Sequence, residues 1–175
     1  MPQRVQLTRA VRFVTDSITR PATTTQYAIG DALSEVTTND FFTFLNCLDD
    51  NTKTGTIVEA RLNVSSYVAT APDIDLRLFH TAITETADNV AWTPTDAHLL
   101  TEIGAINFAT GSYLPGSRTG GAGGNQSQIV TGLKHHVPVV KGSGVSSIFC
   151  QAVLGNTYIP VASEIYTVTL TIEQN

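Results

Sequence analysis

The residues that most often carry out chemistry are thinly spread in this sequence. Four histidines occur, and two of them, His135 and His136, are adjacent. In a strand their side chains would point to opposite faces, so they could not easily share one metal ion. No Cys-x-x-Cys or His-x-x-x-His spacing occurs that would indicate a zinc site. We therefore predict no bound metal and regard the histidines as surface or interface residues.

Carboxylates give a second set of candidates. Asp73 and Asp75 lie two residues apart, so they share one face of a strand and either hold a cation or are solvated. A calcium loop would need more oxygen ligands at suitable spacing. The run 49–51 (Asp-Asp-Asn) has the composition of a turn. A glycosidase pair cannot be chosen from sequence alone, so this reaction stays open without support.

Nucleophile and phosphate motifs are the third kind of candidate. The run 120–125 (GGAGGN) resembles a phosphate-binding loop, but no Lys-Ser or Lys-Thr follows it and no apolar strand leads into it. No Gly-x-Ser-x-Gly elbow is present. We predict no catalytic residues and no cofactor, so the chain is not expected to be an enzyme.

The composition narrows the function classes further. The chain has 175 residues, a net charge of −5 and only 14 % charged residues. An acidic balance argues against nucleic-acid binding, and no apolar run has the length of a membrane span or signal peptide. Cys47 and Cys150 lie in apolar runs, which predicts reduced core thiols, although a disulfide between them stays open. We expect an intracellular site of synthesis.

Alternation of apolar and polar residues predicts strands along the whole chain. The clearest case is 165–173, in which Tyr166, Val168, Leu170 and Ile172 share one face and threonines fill the other. In 55–68 the apolar face is Val58, Ala60, Leu62 and Val64. Further strands are predicted at 41–48 (apolar on both faces, hence central), 74–78, 103–108, 137–140 (an edge or a strand start, because it contains proline) and 146–154.

These elements must form one domain. Thr95 can cap a short helix within 93–104, and residues 110–128 are rich in glycine and serine, which predicts a long loop. We predict an all-β, antiparallel β-sandwich of jelly-roll type with at most one short helix. Residues 1–20 form an N-terminal arm or a first strand, and 21–175 form the sandwich.

Trp92 is the only tryptophan in the sequence. It is either a platform for binding a ligand or a residue that packs over the core, and packing is favoured.

Four segments together resemble a group of bacteriophage head-associated proteins. The first, 18–31, reads ITRPATTTQYAIGD and is similar to the group's TRPA-x-T-x-x-YA-x-GD segment. The second is 75–79 (DLRLF), the third is 94–97 (PTDA), and the last is the pair 158–160 (YIP) and 166–170 (YTVTL). The order of all four carries the resemblance, and the Gly-rich stretch is not part of it.

The resemblance implies a decoration or cement protein on the virion: a β-sandwich that binds the major capsid protein from outside, often as a homotrimer. The arginines of segment 1–20 would reach an acidic shell. Independently of the resemblance, the Gly-rich loop is either a flexible surface loop or a segment that orders against a neighbouring subunit or partner. The alternative is a receptor- or glycan-binding domain of a phage fibre or tail. The predicted contact residues are Arg4, Arg9, Arg12, Arg20, Tyr113 and Arg118.

Overall fold

The computed structural model describes residues 10–35, 41–49, 54–66, 70–115, 125–138 and 146–174. Within these ranges the chain forms ten strands and one short helix. The strands are β1 (Val11–Thr19), β2 (Ala32–Leu33), β3 (Phe42–Phe44), β4 (Gly55–Val64), β5 (Ile74–Phe79), β6 (Glu102–Phe108), β7 (Leu114–Pro115), β8 (Gln126–Val137), β9 (Ile148–Leu154) and β10 (Ile165–Gln174), and the helix is α1 (Asp96–Leu99).

The strands form two antiparallel sheets. The first has the order β1-β10-β4-β8-β7, and the second has the order β2-β9-β5-β6. Because β2 and β3 both pair with β9 in consecutive register, they act as one interrupted strand. Numbered along the chain, the eight main strands then have the orders 1-8-3-6 and 2-7-4-5, which is the arrangement of a jelly roll. The predicted antiparallel sandwich is confirmed.

Alternation along the strands builds the core between the sheets. In β10 the predicted apolar face is buried and the threonines lie on the other face. In β4 the prediction is wrong at one position, because Ile57 rather than Val58 is buried. The cause is a bulge in β4 itself: Glu59 pairs with Thr171 of β10 and Ile57 pairs with Ile172, so Val58 is an extra residue that shifts the alternation. The apolar faces of β5 and β9 are buried as predicted.

The segment 41–48 differs from the predicted central strand. Only Phe42–Phe44 pairs with β9, and Leu45 is 58 % exposed. Asn46 has a φ of +54°, a left-handed conformation that ends a strand. The chain then turns back, so that Cys47 and Leu48 enter the core.

The predicted loop at 110–128 is shorter than expected. β7 lies inside it, and β8 begins at Gln126, so the connection between these strands is residues 116–125, of which 116–124 lie outside the described residues. Sequence analysis missed β8 because buried Gln126 and Gln128 replace apolar residues on its inner face. Val137 ends β8 and does not start a strand, and residues 139–140 lie outside the described residues.

The structure answers two further predictions, one for the N-terminal region and one for the short helix. Residues 11–19 form the first strand, at the edge of the first sheet, and residues 1–9 lie outside the described residues. Helix α1 has four residues, and the Thr95 hydroxyl accepts a hydrogen bond from the backbone of His98, as predicted for the cap.

Candidate functional site

A buried ion pair anchors the chain where β1 ends. The side chain of Arg20 is fully buried, and its Nη2 lies 3.2 Å from a carboxylate oxygen of Asp88. Its Nε donates to the Tyr27 hydroxyl at 2.9 Å, and its Nη1 donates to the carbonyl of Thr23 at 2.6 Å. A buried guanidinium is stable only when its donors and its charge are matched. These contacts therefore fix the path of the chain between β1 and β2.

Tyr27 and Asp88 complete this cluster. The Tyr27 hydroxyl donates to Asp88 at 2.5 Å, and the backbone of Ser34 donates to the same carboxylate oxygen at 3.2 Å. Burial and the bond to Asp88 raise the pKa of Tyr27, so its hydroxyl stays protonated. Burial lowers the pKa of Arg20, but the bond to Tyr27 and the charge of Asp88 outweigh it, so the net pKa is raised. Arg20 therefore stays charged.

A second buried cluster surrounds Glu164, which is 1 % exposed. The hydroxyls of Ser66 and Tyr166 donate to its carboxylate. The Tyr158 hydroxyl lies 2.9 and 2.8 Å from the two carboxylate oxygens. Burial raises the pKa of Glu164, although the bonds from Tyr166 and Tyr158 oppose the shift. Burial also raises the pKa of both tyrosines.

The two clusters are joined directly. The rings of Tyr27 and Tyr158 stack with centroids 6.4 Å apart, and the Tyr27 amide donates to the Tyr158 carbonyl at 2.8 Å. The Arg20 amide donates to the carbonyl of Glu164 at 3.1 Å. We call these residues the end network: Arg20, Tyr27, Ser66, Asp88, Tyr158, Glu164 and Tyr166. It connects the segment after β1 to the segment before β10.

The end network contains residues that sequence analysis did not select. Ser66, Asp88 and Glu164 belong to none of the quoted segments, and no motif or spacing marks them. The only available signal was indirect, because a buried arginine needs an acidic partner somewhere in the fold. The selected residues Arg20, Tyr27, Tyr158 and Tyr166 lie far apart in the chain, and the jelly-roll topology brings them together.

The predicted contact residues lie in different places in the structure. Arg4, Arg9 and Arg118 lie outside the described residues. The prediction for Arg20 does not fit its position, because the end network holds its side chain inside the protein. Tyr113 packs against the core, and burial raises the pKa of its hydroxyl. Arg12 is the one described arginine of this set at the surface, where it pairs with Asp49 at 2.5 Å.

The outer side of β1 presents an exposed surface. Val11 is 50 % exposed and Phe13 is 69 % exposed, and Thr15 and Ser17 continue the same row. The hydroxyls of Thr15 and Ser17 bond to threonine hydroxyls of β10 at 2.9 and 2.8 Å. We call Val11, Phe13, Thr15 and Ser17 the β1 face. Aromatic side chains are enriched at protein–protein interfaces, so Phe13 makes the β1 face a candidate contact surface.

The remaining candidates for chemistry are two histidines of β8 and two aspartates at β5. His135 is half-buried beside Gly104 and His136 is exposed, as alternation predicts. The amide of Asn107 donates to Asp73 at 2.8 Å and to Asp75 at 2.9 Å, so both carboxylates lie on one face and share a donor. In the described part of the chain, no group of three His, Cys, Asp or Glu residues could hold a metal ion.

The two cysteines are free and buried, which confirms the predicted core thiols. Burial raises the pKa of Cys47 to about 12. The pKa of Cys150 is also raised by burial. Because the thiolate is the reactive form, neither residue is suited to nucleophilic chemistry in the folded protein.

No protein-family model and no curated protein matches this chain. Within the described residues, no helix has the length and apolar character needed to cross a membrane. The phage resemblance therefore stays a prediction based on the quoted segments.

Proposed function

We propose that this chain is a structural virion protein that binds the outer surface of a phage capsid and stabilises the shell. The observation that carries the proposal is the meeting of the first and last resembling segments in one buried network. Arg20 and Tyr27 come from the first segment, and Tyr158 and Tyr166 come from the last. A set of segments that folds together as a unit is more informative than separate short matches.

The fold supports the same proposal by analogy. Jelly rolls occur in viral capsid proteins and in lectins, and fold alone does not choose between them. A decoration protein needs a rigid sandwich and an exposed contact surface. The end network supplies rigidity by joining distant segments, and the β1 face supplies an exposed aromatic residue at a sheet edge.

We place the capsid contact on the β1 face. Phe13 would supply the buried centre of the interface, and the hydroxyls of Thr15 and Ser17 would supply its polar rim. Arg12 lies on the opposite side of β1, where it pairs with Asp49, so it is not part of this contact surface. Weak contacts of this kind become strong when a symmetric oligomer makes several at once, and we propose a homotrimer for this reason.

The direct test is cosedimentation of the purified chain with empty capsids assembled from the major capsid protein of the same phage. Saturable binding to the capsids supports the proposal. Absence of binding at micromolar concentration, with the chain folded and its oligomeric state measured by light scattering, would reject it. A monomer in solution that still saturates the capsid would reject only the trimer.

The alternative is a receptor- or glycan-binding domain of a phage fibre or tail. Its partner differs, so host cells or surface glycans replace capsids as the binding target. Binding to cells without binding to capsids would favour this alternative over decoration.

A further inference from the structure

A small pocket lies in the segment between β5 and β6, next to helix α1. Its volume is about 200 Å³, which is small for a drug-sized ligand but large enough for a single sugar ring. One aromatic ring, one imidazole, one carboxylate and several hydroxyls surround it. The lining residues are Thr84, Glu85, Thr86, Trp92, Thr93, Thr95 and His98.

The aromatic wall of this pocket is held rigidly. Trp92 is half-buried, and the Phe79 ring meets it edge-on with centroids 6.2 Å apart. The guanidinium of Arg77 lies over one face of the Trp92 ring, 5.4 Å from its centre, and covers that face. Arg77 is itself fixed by Glu102, which accepts two hydrogen bonds from it at 2.6 and 2.7 Å. A fixed aromatic ring binds a flat ligand at little cost in conformational entropy.

The polar wall combines fixed and free groups. His98 is held by the Thr84 amide, which donates to Nε2 at 3.2 Å. In contrast, the Glu85 carboxylate and the side-chain hydroxyls of Thr86 and Thr93 have no hydrogen-bond partner among the described residues. These free groups offer acceptors and donors to a ligand that carries several hydroxyls.

We propose that this pocket binds one neutral pyranose ring. Arg77 covers one face of Trp92, so the part of the ring that lines the pocket would contact the C–H groups on the apolar face of a sugar. The Glu85 carboxylate can accept hydrogen bonds from two adjacent hydroxyls, which are stronger than bonds between neutral groups. The carboxylate also disfavours acidic sugars, because the cation nearest Trp92, Arg77, is already paired with Glu102. This inference does not depend on the proposed capsid binding.

Trp92 makes the proposal directly testable, because it is the only tryptophan in the chain. Fluorescence excited selectively at tryptophan, and not at the tyrosines, therefore reports on this pocket. The probes are the methyl pyranosides of glucose, galactose and mannose, with glucuronic acid as the acidic counterpart. We expect a saturable change with at least one neutral pyranoside, with a dissociation constant of roughly 1 mM for so small a ligand, and a much weaker response to glucuronic acid.

A pair of variants assigns the binding to the pocket. Glu85→Ala removes the free carboxylate and should weaken binding about tenfold or more. Glu59→Ala makes the same change on β4 in the first sheet and should leave binding unchanged. Thermal unfolding of both variants checks that each is folded, since both side chains lie at the surface or near it.

Saturation-transfer NMR on the same sugars provides a second readout that does not rely on tryptophan. The proposal is overturned if neither method detects saturable binding of any neutral pyranoside up to about 100 mM. It is also overturned if Glu85→Ala binds as tightly as the unmodified chain, or if glucuronic acid binds as well as the neutral sugars. Binding of a disaccharide with the same end ring at equal affinity would show that the end of a glycan is recognised.

Discussion

The guanidinium of Arg20 lies 3.2 Å from the carboxylate of Asp88, with their side chains 0 % and 7 % exposed. Sixty-eight positions separate the two residues in the chain. A buried pair of this kind need not add stability compared with an apolar pair, but removal of one partner leaves an uncompensated buried charge. The pair therefore locks one path of the chain between β1 and β2.

Replacement of Arg20 by methionine should destabilise the protein strongly. The change leaves Asp88 buried without its cation and Tyr27 without its donor, so we expect a loss of about 3–5 kcal/mol in the free energy of unfolding. Urea denaturation measures it. Arg12→Met is the matched control, because Arg12 and Asp49 are 34 % and 42 % exposed and such pairs contribute under about 1 kcal/mol. Equal losses in the two variants would contradict the assigned role of Arg20.

Glu164 should make stability depend on pH. Burial raises its pKa in the folded protein above the ordinary value of 4.5, so the folded state keeps a proton that the unfolded state has released. This contribution is fully present below pH 4.5 and is lost as pH rises through the folded-state pKa. Glu164→Gln should reduce the fall in stability between pH 4.5 and the folded-state pKa. Identical pH profiles of the melting temperature for the two proteins would refute this.

Gly104 should tolerate no side chain. A Cβ at this position would lie 2.1 Å from Nδ1 of His135, and the φ of Gly104 is +150°. We expect Gly104→Ala to cost about 1–3 kcal/mol through overpacking. Gly30→Ala is the control, because Gly30 has a φ of +91° but nothing within 4 Å of a new Cβ. If the steric reason is correct, His135→Ala should restore part of the loss in Gly104→Ala.

The cysteines should resist modification in the folded protein. Both are buried, and burial raises the pKa of Cys47 to about 12, so little thiolate is present at pH 8. A thiol-reactive dye should label neither residue in native buffer and both in guanidinium chloride. Rapid labelling of the native protein would show that this part of the core opens.

Much of the fold could be predicted because alternation has a direct physical cause. Residues two apart on a strand face the same side, so the buried faces of β5, β9 and β10 were readable from sequence. β8 was missed because Gln126 and Gln128 occupy its inner face, which breaks the apolar pattern. The bulge at Val58 shifted one position of β4 for a similar reason: it depends on how β4 pairs with β10.

The end network was only partly predictable. The motif 18–31 and the pair 158–160 and 166–170 selected Arg20 and three tyrosines, but not their acidic partners. No sequence motif marks Asp88 or Glu164, and only the fold shows that their carboxylates are buried. Arg20 was assigned to the surface because isolated arginines are mostly exposed, and the fold reverses this by surrounding it with acceptors.

The most direct test of capsid binding by the β1 face is cosedimentation of surface variants with empty capsids. Phe13→Ser removes the exposed aromatic residue, and Leu100→Ser makes a similar change at a residue that is 85 % exposed beside helix α1. We predict that Phe13→Ser loses binding at least tenfold, roughly the effect of losing an aromatic anchor, while Leu100→Ser binds like the unmodified chain. Full binding by a folded Phe13→Ser variant would contradict the assignment of the β1 face.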